Sequence, residues 1–542
     1  MAEDRIIPTC KRLILSLALS GLVLPTAALA DARAYVRARA AAEEGAVDVA
    51  AAGYAAAMAA APDDAVIAIR AYRNALAAGD MVLASRAAGV LKRSDVAPAD
   101  VSILDFAVAL QRRDAAGAED SLGKVGAGPL DFLAPVLRAW LAFDRGADPM
   151  PLLDKANESG LSRRYIAEHR ALLLIATNRT EDGVAALQAA VGADPGSLDL
   201  RWNAATLLAA KGRRDIALSL LAGDDPALSG LRSRLKKGPK PGAGFGASRA
   251  FTRLAADLAG QETQALSIVL TRSALLLDPA DDRARLLLAD ALGGERAYDR
   301  ALGALDAVRK DSAFYPAALS ERVGLRNKRG DVAGALTLAA SLANAPGASI
   351  ADRQRYADLL VEQGHESEAA DVFAAALAQA GEKASWVNYL QLGGALERAG
   401  KWDAALPHLR KAVELAPEQP VALNYLGYAQ IERGENLAEA AALLERASKL
   451  RPDDAAITDS LGWAYFRQGD LAKALPLLEK AAQGEPGSAT INEHLGDAYW
   501  RIGRRFEARY AWSAAALYAE GEQKTRLSTK LADGLNQRAA AN

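Results

Sequence analysis

A motif returns every 34 residues in this chain, and that spacing narrows the possible folds more than any other feature. Near the C-terminus, Leu461-Gly462-x-x-Tyr465 is followed by Gly469, Ala474, Leu478, Ala481 and Pro486. Leu495-Gly496-x-x-Tyr499 is followed in step by Gly503, Ala508, Trp512 and Ala515. A unit of this length holds two helices and a turn, and such a unit buries its apolar face only by stacking on copies of itself. Gly462 and Ala474 are small where the two helices of a hairpin cross. Leu461 and Tyr465 lie four apart, on one helical face. Gly469 permits the turn, and Pro486 stops the second helix.

The pattern resembles the tetratricopeptide repeat (TPR), which implies an all-α solenoid of stacked antiparallel hairpins. Its phase runs through Gly393, Gly427, Gly462 and Gly496, with one extra residue around Gly434 to Asn436. It continues backwards through Ala357, Val323, Ala289 and Ala255, then Ala205 and Ala171, and reaches Tyr72 and Ala38. About fourteen hairpins are expected. The run Lys236-Lys237-Gly238-Pro239-Lys240-Pro241-Gly242 through Gly246 breaks the pattern, because proline and glycine at this density do not continue a helix. The expected organisation is a signal segment (1–30), a degenerate N-terminal array (31–237), a Pro/Gly linker that permits bending (238–249), a C-terminal array (250–518) and a helical tail (519–542).

Composition agrees with this and removes several alternatives. Hydrophobic residues make up 51% of the chain but aromatics only 6%. Alanine supplies most of the difference, and it suits closely packed helices. A formal net charge of -2 provides no basic field for nucleic acid and no overall polybasic character for a membrane surface.

Lys11 and Arg12 precede an apolar run, Leu13 to Leu24, with Pro25 and Ala28-Leu29-Ala30 beyond it. A charged region, a short apolar region and a small-x-small site predict a cleaved export signal, with the mature chain starting at Asp31 in the periplasm. The run is too short to span a bilayer, so no transmembrane segment is expected after cleavage. The single cysteine, Cys10, lies before the apolar run, not after it as in a lipobox. Cleavage therefore leaves neither a lipid-anchor site nor a thiol.

The residues point away from catalysis. His169, His365, His408 and His494 show no metal-ligand spacing, and no His-Glu-x-x-His, phosphate-binding loop or nucleophile elbow occurs. No cofactor or metal is expected. Gly242-x-Gly244 follows no predicted strand, so it is not read as a dinucleotide loop. The carboxylate pairs Asp63-Asp64 and Asp453-Asp454 fall between helices, where they cap N-termini.

What remains is surface. Counted from each repeat glycine, positions −3, +1, +4 and +5 share a face of the first helix expected to front a concave groove. They hold Asn424, Tyr428, Ile431 and Glu432; Asp459, Trp463, Phe466 and Arg467; and Glu493, Asp497, Trp500 and Arg501. Aromatics beside amide and charged groups make a peptide-binding strip, or else core between hairpins; spacing alone allows both. The alanine-rich N-terminal array is expected to offer no comparable strip.

The stretch from Trp386 to Trp512, with Leu423-Asn424-Tyr425-Leu426-Gly427-Tyr428 and His494-Leu495-Gly496-Asp497-Ala498-Tyr499-Trp500-Arg501, resembles the large envelope TPR proteins of Gram-negative bacteria. That resemblance implies an adaptor bringing protein or peptide partners to a periplasmic protease or a cell-wall enzyme. The alternative is a structural spacer in an export or polysaccharide-secretion apparatus.

Overall fold

In the computed structural model of the chain, residues 26–156, 160–193, 198–223 and 226–535 are described. Among them are thirty α-helices in successive pairs and no strand, so the chain is an all-α solenoid of hairpins. Cys10 and Leu13 to Leu24 lie outside the described residues. The first helix, Thr26–Glu43, crosses the predicted cleavage site.

The repeat glycines sit where two helices nearly touch. A Cβ on Gly393, Gly427 or Gly462 would stand 2.7, 2.8 or 2.9 Å from Leu409, Leu444 or Leu478, and on Gly496 it would stand 2.4 Å from Trp512. Gly469 and Gly503 turn the chain with φ of 82° and 87°, a region that costs glycine nothing. The Leu471–Gly484 helix ends before Pro486. Asp64 and Asp454 cap the helices that follow them, accepting from Val66 N and Ile457 N.

Two compact units divide between Val332 and Ala333. In the first, the core is continuous from Ala38 to Leu325. It does not stack only on sequence neighbours: the Ala65–Ala78 and Val101–Gln111 helices pack against Gln264–Leu277, and Ala134–Asp144 packs against Ala243–Asp257. Arg272 donates from Nε to Leu76 O and from Nη2 to Ala77 O, both at 2.8 Å, capping a helix nearly two hundred residues away. Asp48 pairs with Arg300.

This return of the chain corrects the expected linker. Residues 243–249 belong to the Ala243–Asp257 helix, and Phe245, Gly246, Ala247 and Ser248 are buried in it. A Cβ on Gly246 would lie 2.1 Å from the indole of Trp140, so this glycine serves close packing, not bending. Gly238 N donates to Thr206 O at 3.1 Å and pins the segment before it. The division between compact units therefore falls some ninety residues later than the composition break suggests.

The second unit is a run of hairpins. Their first helices include Trp386–Arg398, Pro420–Arg433, Ala455–Arg467 and Ala489–Arg501; the last hairpin closes with Arg505–Tyr518. A final helix, Gly521–Asp533, packs on it and fully buries Leu527.

Candidate functional site

The first helices of the second unit carry every residue of the predicted strip, and the structure splits them into two groups. Asp459, Trp463, Phe466 and Asp497 are interior, at 4%, 8%, 7% and 6% exposure, as are Ile431 and Glu493. Asn424, Tyr428, Arg467 and Trp500 are half-buried; Glu432 and Arg501 are exposed. For the interior group the core alternative describes the packing. The face that meets the groove also meets the next hairpin, and large side chains there are enclosed by the neighbour.

The enclosed residues form a ladder from helix to helix. Trp463 donates from Nε1 to Glu432 at 2.6 Å, and its ring lies between Phe466 and His494, with centroids at 4.6 and 4.0 Å. His494 Nδ1 meets Asp459 Oδ2 at 2.9 Å. Burial pulls the His494 pKa down, but the carboxylates of Asp459, Asp497 and Glu432 outweigh it and raise the value above that of a free histidine. One helix on, Asp497 accepts from Trp512 Nε1 and from Lys530 Nζ, while Glu493 accepts from Arg526 and Lys530. Burial favours the neutral form of Glu493, yet these cations hold its pKa at about 2. The Trp500 ring lies tilted against that of Trp512, with centroids 5.2 Å apart, and sits against Gly534 of the chain's own tail.

The open part of the strip lies between Trp386–Arg398 and Pro420–Arg433. A cleft of about 260 Å³ there is lined by Glu397, Arg398, Asn424, Tyr425, Tyr428 and Glu432, among others. The buried Oδ1 of Asn424 has no hydrogen-bond partner among the described residues. Burial and the nearby carboxylates of Glu432, Asp459 and Glu493 raise the Tyr428 pKa, keeping the phenol neutral. Arg433 is fixed by Glu397 at 2.8 Å and by the Trp402 ring. The cleft thus presents an aromatic ring, an amide side chain and charges of both signs, the functional groups that an extended peptide engages.

The first unit holds larger clefts that the alanine-rich sequence did not suggest. One of about 590 Å³ is walled by Leu198, Leu231, Phe314 and Pro316 and rimmed by Arg253 and Arg283. Arg283 pairs with Asp199 at 3.0 Å, and nearby Arg249 is locked between Asp278 and Asp281. These residues lie far apart in sequence and carry no motif, so only the return of the chain brings them together. Among the described residues, no group of three or more His, Cys, Asp or Glu is placed to hold a metal ion, and no helix is long and apolar enough to cross a membrane.

Paired helices crossing at small residues and stacked hairpin on hairpin within each unit define an α-helical repeat protein. Family models described as tetratricopeptide repeat match residues 396–462, 355–420 and 460–524, so the chain carries tetratricopeptide repeats over that part of its length. A TPR repeat-containing protein of Pseudomonas aeruginosa is 46% identical over 63 residues, which cover 12% of this chain and 11% of that protein. The chain is therefore aligned with about a tenth of that relative's length. Among solved structures, a tetratricopeptide repeat protein from Parabacteroides merdae is 16% identical with a TM-score of 0.40, covering 47% of this chain and 99% of its own. A thermophilic TPR protein of Thermus thermophilus is 21% identical with a TM-score of 0.31, covering 34% of this chain and all of its own.

Proposed function

We propose that this protein is an exported scaffold that holds an extended segment of a partner protein in the cleft between Trp386–Arg398 and Pro420–Arg433. Its repeats are of a kind that binds peptide or protein partners. The observation that carries the reading is the cleft itself, where the half-buried ring of Tyr428 and the Asn424 side chain sit beside the charges of Glu397, Arg398 and Glu432.

Export to the periplasm is supported by Lys11-Arg12, the run Leu13 to Leu24 and Ala28-Leu29-Ala30. The partner class is a processing protease or a cell-wall enzyme together with its substrate, on the strength of the resemblance over Trp386 to Trp512. Affinity purification from crosslinked envelope fractions tests the reading, with wild type compared to Asn424→Ala combined with Tyr428→Ala. A groove scaffold loses its partners in the double variant while its melting temperature stays within a few degrees. A spacer that binds elsewhere keeps the same partners, and that result would overturn the proposal.

A further inference from the structure

The last hairpin carries a feature that neither its packing nor the cleft explains. On Arg505–Tyr518, the residues facing the core are Ala508, Ala511, Trp512 and Ala515. Phe506, Tyr510 and Leu517 are 84%, 77% and 79% exposed. At about 100° per residue these three fall within an arc of about 40°, centred opposite the packed face. Ser513 lies beside them and is exposed, and Tyr518, at the end of the helix, is 58% exposed.

The repeats supply their own comparison. The positions of Phe506, Tyr510 and Leu517 are held by Ala472, Pro476 and Gln483 one hairpin earlier, by Ala438, Ala442 and Lys449 before that, and by Asp403, Pro407 and Glu414 before that. All nine are exposed. The fold accepts small, polar or charged residues there, so three large apolar ones in a single repeat are not a packing requirement. Contiguous exposed apolar surface of this kind marks an interaction site.

Charge indicates what covers it. Between 501 and 518 stand four arginines, Arg501, Arg504, Arg505 and Arg509, against one glutamate, Glu507, which Arg504 binds at 3.0 Å. Among the described residues Arg501, Arg505 and Arg509 form no ion pair with a carboxylate: they lie over the rings of Phe466 and Trp500, and Arg509 Nε also donates to Leu531 O at 3.3 Å. The stripe lies on the solvent side of its helix, opposite the packed face, where a soft, flat partner can cover it without a matching groove. An antiparallel pairing with a second copy would set the arginine-bearing edge against itself.

We infer that the Arg505–Tyr518 helix docks the protein on an anionic lipid bilayer, with Phe506, Tyr510 and Leu517 entering the headgroup boundary and the arginines binding lipid phosphates. Aromatic and leucine side chains flanked by arginine are the composition of interfacial helices, and arginine's fork matches phosphate. The inference is independent of the cleft.

The test places an environment-sensitive fluorophore on the stripe of the full chain through Ser513→Cys, with Cys10→Ser so that the label has one target. Vesicles of phosphatidylglycerol and phosphatidylethanolamine should shift its emission to the blue, phosphatidylcholine vesicles should not, and raised salt should weaken the effect. Adding Phe506→Ser and Leu517→Ser should reduce the shift at least tenfold, and a label placed through Asp403→Cys should stay silent. No shift with anionic vesicles, or an equal shift in the serine variant, would overturn the inference. So would a blue shift that grows with protein concentration in the absence of lipid, which would assign the stripe to a second copy.

Discussion

The indole of Trp463 lies parallel to the imidazole of His494, with ring centroids 4.0 Å apart and planes 9° apart. The two residues come from neighbouring hairpins, so the stack is a rivet between repeats as well as a wall of the strip. Trp463→Ala should therefore cost about 3–5 kcal/mol, as for a buried aromatic truncated to alanine. Hydrogen exchange should show the loss concentrated in the last three hairpins. A variant with an unchanged melt would place Trp463 outside the core after all.

His494 makes the same interface sensitive to pH. Its folded pKa is raised, chiefly by Asp459 against the opposing effect of burial. A raised value means that its contribution is fully present below the unfolded pKa of about 6.5 and is lost as pH rises through the folded value. Stability of the second unit should thus decline above about pH 6.5, by up to about 1.4 kcal/mol per pH unit until the folded pKa is passed. His494→Gln should flatten that decline. Urea midpoints from pH 6 to 9 for both proteins measure it, and parallel curves would contradict the assignment.

Gly246→Ala distinguishes a packed crossover from a flexible linker. Its Cβ would fall within 2.1 Å of the Trp140 ring, whose Nε1 is already committed to His169 Nδ1 at 2.9 Å. Overpacking of this kind costs about 1–3 kcal/mol or more, whereas alanine in a solvated linker costs nothing measurable. Differential scanning calorimetry of the variant decides between them.

How much of this was legible beforehand depends on how local the cause is. Gly462, Gly469 and Pro486 act within one hairpin, so the repeat motif and the all-α fold could be read from their spacing. For Trp463 and Asp459 spacing leaves groove and core both open, because one helical face can serve either, and only the packing of the next hairpin encloses them. Gly238 to Gly246 misled because a glycine needed for close approach reads the same as one needed for bending. Trp140, which decides the matter, is about a hundred residues away. Arg272 capping Leu76 and Ala77 had no signal at all, since nothing in a 34-residue period foretells contacts across nearly two hundred.

Export has a direct measurement. The protein recovered from the envelope should begin at Asp31 and carry no lipid, because Cys10 precedes the apolar run. Intact-mass spectrometry with N-terminal sequencing settles it. Retention of Met1, or a lipid adduct, would remove the basis for a periplasmic scaffold.

The end of the second unit depends on one ammonium group. Lys530 Nζ lies 2.7 Å from Glu493 Oε1 and 2.7 Å from Asp497 Oδ2, and those carboxylates retain only 4% and 8% side-chain exposure. Arg526 still holds Glu493 if Lys530 is lost, but among the described residues Asp497 would keep only the Trp512 N–H as a donor, with His494 nearby. Burial already raises the Asp497 pKa with the lysine in place. Lys530→Ala strands that carboxylate and should cost about 3–5 kcal/mol at neutral pH, the range for breaking a buried pair. Lys530→Met keeps the aliphatic stem and should recover only the packing part. Because the stranded Asp497 takes up a proton more readily than before, the deficit should shrink as pH falls toward 5. Lys524→Ala, an exposed change on the same helix, should leave the melt where it was. Thermal melts of the three variants at pH 7 and pH 5 give the answer: a deficit that is the same at both pH values would mean the tail is held by Leu527 packing and not by charge.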